Sequence, residues 1–161
     1  MTPNNIRVKC ILLLFLALCG VRAYGDPAAA FDLFKSFKGE WTLQSGDRTL
    51  PFKMTYDTGS KGSIVTEEFG KELSVFYRDG ESLRMVHFCN AGNQPRLRLK
   101  ESPRADRLEF EAYDVTNLKS AAAPHVQRIV YDVVATNKIN LQIIWKEGNA
   151  EHFEKYALTK E

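Results

Sequence analysis

The chain is predicted to be all-β, a single up-and-down antiparallel β-barrel of about ten strands behind one short helix. Three observations predict it. Strand-like segments begin near Glu40, Leu50, Ser63, Leu73, Ser82, Arg96, Arg107, His125, Ile139 and Glu151, mostly 9 to 14 residues apart, the rhythm of a β-meander that closes into a barrel or sandwich. The breaks between them carry turn residues: Gly46-Asp47, Gly59-Ser60-Lys61-Gly62, Asp79-Gly80, Asn137-Lys138 and Gly148-Asn149. Several segments alternate apolar and charged residues with period two, as half-buried strands do. A two-sheet β-sandwich is the competing architecture.

The helix is predicted over 27–38. Asp26 is a good cap, and Pro27 suits the first helical position, where its missing N–H costs nothing. Phe31, Leu33, Phe34 and Phe37 then recur at helical spacing and make one apolar face, and Gly39 can end the helix. Such a helix can close one end of a barrel, with Trp41 plugging that end from the first strand.

Among the strands, Asp79-Gly80 between Leu73–Arg78 and Ser82–Cys89 is a strong hairpin signal. Leu97 and Leu99 alternate with Arg96, Arg98 and Lys100. Leu108, Phe110 and Ala112 alternate with Glu109, Glu111 and Tyr113. Those charges read as a solvated outer face that offers cross-strand ion pairs. Segments 129–134 and 139–145 are apolar on much of both faces, as fully buried strands are, or strands between an end plug and a cavity. The long connection 115–124 is expected to be a lid or a mobile loop.

The first 23 residues read as an address and lie outside the barrel domain, 24–161. Arg7 and Lys9 precede a ten-residue apolar run from Cys10 to Cys19, too short to span a bilayer as a helix. Val21-Arg22-Ala23 then fits a signal-peptidase site, so export to the periplasm or medium is expected, with cleavage after Ala23. Leu18 is too large for the position before a lipidated cysteine, so Cys19 is not expected to anchor the chain, and no stable membrane insertion is expected. Losing Arg7, Lys9 and Arg22 from the 22 basic residues while all 20 acidic ones remain leaves a faintly acidic protein. No basic block survives to bind nucleic acid. Cys89 stays as the lone cysteine, so no intramolecular disulfide is possible, and a buried, inert thiol is expected.

His87 and Cys89 lie two apart on one strand and share a face with Leu83 and Met85. They run into Asn90-Ala91-Gly92-Asn93-Gln94-Pro95-Arg96, a loop dense in amides. A Cys–His nucleophile pair needs the two groups within hydrogen-bond reach, and i, i+2 spacing makes that awkward. His87 is expected instead to be a polar handle on a cavity wall, or a core histidine bonded to the Asn93–Gln94 loop. His87, Cys89, His125 and His152 show no metal-ligand spacing, so no metal is expected. Glu67 and Glu68 point to opposite faces, and Glu109 and Glu111 read as surface. No G-x-S-x-G, Walker or G-x-G-x-x-G motif occurs.

Phe37-Lys38-Gly39-Glu40-Trp41 resembles the helix-then-G-x-W opening of lipocalins, within the calycin barrels that also include fatty-acid-binding proteins. Lipocalins add a basic residue near the chain end that packs on this tryptophan, and here the last strand offers Lys160 or Lys155. The string His87-x-Cys89-x-x-Gly92-Asn93-Gln94-Pro95-Arg96, with Asp114-Val115-Thr116-Asn117, His125 and the Trp145 strand, resembles an uncharacterised family of exported bacterial proteins. That resemblance implies a calycin-like barrel and nothing catalytic. Gly39, Trp41, Cys89, Asn93, Gln94 and Pro95 are expected to be structural residues. His152 sits where nitrobindin-type barrels carry a haem ligand. Thr42-Leu43-Gln44 replaces the glycine-rich segment those barrels place after their tryptophan, so no haem or other cofactor is expected.

The functional expectation is an exported barrel that binds a small apolar or amphipathic molecule, with Tyr77, Met85, His87, Arg98 and Trp145 as its wall. The alternatives are a barrel enzyme acting through His87 and the Asn93–Gln94 loop, and a filled barrel that serves as a structural or interaction domain. The sequence does not fix an oligomeric state.

Overall fold

A computed structural model of the chain describes residues 26–161 apart from 103 and 105. The leader expected over 1–23 lies outside the described residues. One helix, α1 (Pro27–Ser36), precedes β1 (Gly39–Ser45), β2 (Arg48–Gly59), β3 (Ile64–Phe69), β4 (Glu72–Asp79) and β5 (Ser82–Phe88). Then follow β6 (Gln94–Leu99), β7 (Arg107–Thr116), β8 (His125–Ala135), β9 (Lys138–Glu147) and β10 (Ala150–Thr159). Each strand starts within two residues of its predicted start.

Every strand pairs antiparallel with the next, and β1 closes on β10 through Thr42↔Thr159, Leu43↔Leu158 and Gln44↔Ala157. That seam excludes the sandwich, because a sandwich would leave β1 and β10 as free edges. The seam is also short. Residues 150–156 of β10 pair only with β9, so the β9–β10 hairpin runs on past the point where β1 turns away.

The helix forms as its local chemistry dictates. The Asp26 carboxylate accepts the Ala28 N–H at 2.9 Å, and Pro27 follows. It stops at Ser36, two residues before the predicted end. The Phe37 and Lys38 N–H groups turn back to the Phe34 and Lys35 carbonyls, and Gly39, at φ 120°, swings the chain into β1.

Ala30, Phe31 and Phe34 are buried beneath this helix. Phe34 stacks on Phe76 at 4.2 Å between ring centroids and meets Phe37, Phe110 and Tyr131 edge-on at 5.1–5.8 Å. Offset and edge-to-face contacts suit the ring quadrupoles, so this end of the lumen is filled by aromatic packing. Trp41 is fully buried, and its indole N–H donates to the Phe37 carbonyl at 2.7 Å. The chain end closes the same corner. Lys160 places its ammonium 5.9 Å from the centre of the Trp41 ring and donates to the Lys38 carbonyl. A side chain at Gly39 would meet the Lys160 stem at 3.2 Å, which with its positive φ fixes glycine there. Lys160, rather than Lys155, is thus the basic residue on the tryptophan.

Outward charges pair across strands as the alternation predicts: Lys100 with Glu111 at 2.8 Å, Arg107 with Asp132 at 2.9 Å, and Arg96 with Asp114. Val130 and Ile144 are buried, so segments 129–134 and 139–145 are indeed covered on much of both faces.

Candidate functional site at the mouth of the barrel

The two ends of the lumen differ in chemistry. Away from the helix, the inward positions of three adjacent strands turn polar: Glu67 on β3, Glu72 and Ser74 on β4, and His87 on β5. Register sets Tyr56 opposite Glu67, Glu67 opposite Ser74, and Ser74 opposite His87. Directly opposed residues share a face, so these four side chains form one row across four strands.

The row is hydrogen-bonded end to end. Glu67 accepts from Tyr56 at 2.7 Å, from Tyr131 across the lumen at 2.8 Å, and from Ser74 at 3.1 Å. Ser74 Oγ lies 3.1 Å from His87 Nδ1. Because Ser74 directs its one hydroxyl proton at Glu67, its oxygen is left to accept from Nδ1–H of His87. With Glu67 ionised, this arrangement puts the His87 proton on Nδ1 and leaves Nε2 as the bare nitrogen, facing Glu72.

Burial governs the ionisation of these groups. It pushes Glu67 above the usual carboxylate range, against the pull of its three hydroxyl donors. Burial, then the nearby Glu67, raises both tyrosines. Burial lowers His87, with Glu72 opposing, so the imidazole is held neutral.

At the mouth, His87 Nε2 sits 3.7 Å from Glu72 Oε2 and has no hydrogen-bond partner. The other Glu72 oxygen accepts the Asn90 N–H at 3.0 Å. Cys89 enters the same group. Gly92, at φ 82°, lets residues 89–92 turn back so that its N–H meets the Cys89 carbonyl at 2.9 Å, and the Ala91 N–H points at Cys89 Sγ at 3.3 Å. One ligand-type atom each from Glu72, His87 and Cys89 lies within 4.8 Å of the others, and all three residues are buried. Burial pushes the Cys89 thiol up to about 11, the reverse of what a nucleophile needs.

The amide-rich loop has a structural task. Asn93 donates to the Pro124 carbonyl at 2.9 Å, its backbone carbonyl accepts from Cys89, and Asn117 donates to the Gly92 carbonyl. Thr116 donates to the Gln94 side chain at 3.0 Å, and the Gly148 N–H meets the Ala122 carbonyl. These bonds pin residues 117–124 to the two neighbouring turns, where a lid or mobile loop was expected. Pro95 is buried. His87 does not bond to the Asn93–Gln94 loop; its partner is Ser74, because opposing positions on β4 and β5 bring the two together while the loop turns toward residues 117–124.

The five predicted wall residues divide. His87 and Trp145 face the lumen at the mouth. Met85 faces the lumen but is fully buried between Phe76 and Leu97, in the packed half. Tyr77 and Arg98 alternate with the inward Phe76 and Leu97, so the pleat turns them to the outer face. His152 is exposed on the projecting hairpin, 3.8 Å from Glu147, and the His125 Nδ1 meets the Ala123 carbonyl at 2.9 Å; neither approaches His87.

A depression of about 550 Å³ opens beside Glu72, lined by Phe52, Phe69, Gly70, Lys71, Glu72, Asn90, Trp145 and Glu154. Phe69 meets Phe52 and Tyr156 edge-on, and the buried Trp145 indole N–H has no partner. Glu67, Glu72, Ser74, Tyr56 and Tyr131 are the site residues that sequence reasoning did not single out. The signal available was parity: Val65-x-Glu67-x-Phe69 and Glu72-x-Ser74-x-Phe76 place polar groups in phase with apolar ones.

No known family model matches the chain, and no curated protein matches it. Among the described residues, no helix is long and apolar enough to cross a membrane.

Proposed function

We propose that the chain is an exported barrel that binds a small amphipathic molecule at its open mouth. The observation that carries this reading is the mouth depression. It combines aromatic walls (Phe52, Phe69, Trp145) with the polar groups of Glu72 and Asn90 and with the Trp145 indole N–H, a buried donor that lacks a partner. Concave sites with apolar walls and a few convergent polar groups are the usual form of small-molecule pockets. The apolar part of the ligand lies against the three rings, and its polar end meets Glu72, Asn90 and the indole. Export is supported by the leader pattern in residues 1–23.

The helix half of the lumen is packed, so the ligand sits in the mouth rather than deep within. An environment-sensitive apolar dye is expected to bind the folded protein near 1:1 with affinity in the micromolar range. Phe69→Glu, at the mouth, should abolish that binding without unfolding the barrel. A well-folded wild type that binds no dye, and carries no retained mass in native mass spectrometry when purified from its own host, would favour a filled structural barrel.

A further inference from the structure

We infer that Glu72, His87 and Cys89 form a binding site for one divalent transition-metal ion of the zinc class. The three side chains offer carboxylate oxygen, imidazole nitrogen and thiolate sulfur, the donor set zinc takes from proteins. They come from β4, β5 and the turn that follows β5, and all are buried. This departs from the sequence expectation of no metal, which rested on spacing along the chain and did not consider Glu72.

Four features of the geometry point to a cation. First, His87 Nε2 and Glu72 Oε2 face each other at 3.7 Å. Both are acceptors, given the proton on Nδ1, and 3.7 Å is too long for a hydrogen bond. It is close to the ~3.4 Å that separates two ligands on one tetrahedral zinc with bonds of about 2.1 Å. Second, Nε2 is only one atom of a ring that is 3 % exposed, and it has no hydrogen-bond partner. An unpartnered buried acceptor is costly, and a cation there removes the cost.

Third, each ligand is already oriented from behind. Nδ1 of His87 is held by Ser74, and Ser74 by Glu67, which gives the carboxylate–hydroxyl–histidine relay that fixes a ligating imidazole. Glu72 is held by the Asn90 N–H, and Cys89 Sγ receives the Ala91 N–H, a donor that stabilises a thiolate. Fourth, the longest separation in the triad, within 4.8 Å, needs a movement of only about 1 Å to reach the ~3.5 Å expected between sulfur and nitrogen ligands. Three protein ligands leave the fourth position open toward the mouth, for water or a donor atom of a small molecule.

The inference does not depend on the organic ligand, because metal binding can be read alone. The full processed protein, without a histidine tag, is stripped with a chelator and titrated with Co²⁺. One equivalent is expected to bind with a thiolate-to-cobalt charge-transfer band in the near ultraviolet and intense visible bands of tetrahedral type. Zn²⁺ should bleach both and should slow alkylation of Cys89. Cys89→Ser should abolish the charge-transfer band. Glu72→Gln and Ser74→Ala should weaken binding by about 10–100-fold, the usual effect of losing an orienting or ligating contact. His152→Ala should leave the titration unchanged. Circular dichroism of each variant reports its fold, and should Cys89→Ser unfold, the Glu72 and Ser74 variants still read the site. Absence of the charge-transfer band in folded wild type overturns the inference. So does cobalt binding that folded Glu72→Gln and Ser74→Ala leave unweakened, or that His152→Ala removes.

Discussion

The helix end and the mouth of this barrel are built from the same strands and obey opposite rules. At the helix end, inward positions are Trp41, Phe76, Leu83, Met85 and Phe110, and α1 seals them with Phe34 and Phe37. Among these residues only the Trp41 indole needs a partner, and it finds the Phe37 carbonyl. At the mouth, the same faces of β3, β4 and β5 carry Glu67, Glu72, Ser74 and His87. Their burial is tolerated because each hydrogen bond hands on to the next, until the chain ends at His87 Nε2 and Glu72. Apolar packing is self-sufficient and gives a plug. A polar row in a low-dielectric interior ends in a group that still needs a partner, and here that group lies at the mouth.

The comparison predicts that the two ends break differently. The largest loss is expected at the plug. Phe34→Ala removes a ring in contact with four others and should cost about 3–5 kcal/mol in denaturant unfolding, with no specific effect on dye or metal binding by the protein that remains folded. A loss under about 1 kcal/mol would mean that α1 does not seal the lumen.

The next test is on the mouth. Raising the Cys89 thiol from 9.0 to about 11 lowers the thiolate fraction at neutral pH by about a hundredfold. Native Cys89 should therefore alkylate at least a hundredfold more slowly than in denaturant, with a rate still climbing as pH approaches 11. Fast native labelling at pH 7 would revive a nucleophilic role for Cys89.

A smaller effect is expected within the row. Tyr131→Phe deletes one of three hydroxyl donors to Glu67 and should cost about 1–3 kcal/mol. The pH dependence sharpens this. Burial holds the Glu67 proton in the folded protein above the pH at which the unfolded chain releases it, so the folded state binds more protons in that window. The Glu67 contribution to stability is then largest below pH 4.5 and is lost as pH rises through the elevated folded value. His87, lowered by burial, works in the opposite sense: its contribution is present above pH 6.5 and is lost as pH falls below it. Glu67→Gln should thus gain relative to wild type as pH rises above 4.5, measured by unfolding midpoints across the range. A difference that stays flat would place Glu67 in an ordinary solvated setting.

The smallest effect is expected outside the barrel. Arg98→Ala, on the outer face, should change stability by less than about 0.5 kcal/mol and leave dye affinity unaltered. A clear loss of binding would mean that ligand contacts reach the outer wall.

Much of this architecture is legible in the residues. Asp26-Pro27 and the phenylalanine spacing define α1, turn residues set the ends of the strands, and the alternation around Leu97 and Leu108 separates inner from outer faces. The site was only half legible. His87, Cys89 and Trp145 stand out by residue type, and the phase they share with Leu83 and Met85 puts the first two inside. Arg98 and Tyr77 were assigned inward although their phase opposes that of Leu97 and Phe76. Glu67 and Glu68 split between the two faces as adjacent strand residues must, and only register says that Glu67 is the one that turns in.

The sequence by itself determined the strand order, the helix cap and the apolar content that must be buried, because these follow from contacts within a few residues along the chain. Tertiary structure alone decided that β1 meets β10, that Tyr131 reaches across the lumen to Glu67, and that Glu72 on β4 faces Cys89 beyond the end of β5. Those meetings join residues 17 to over 100 positions apart. They depend on strand register and barrel closure, where a slip of one residue would turn Glu67, Ser74 and His87 outward and leave the lumen without its polar row.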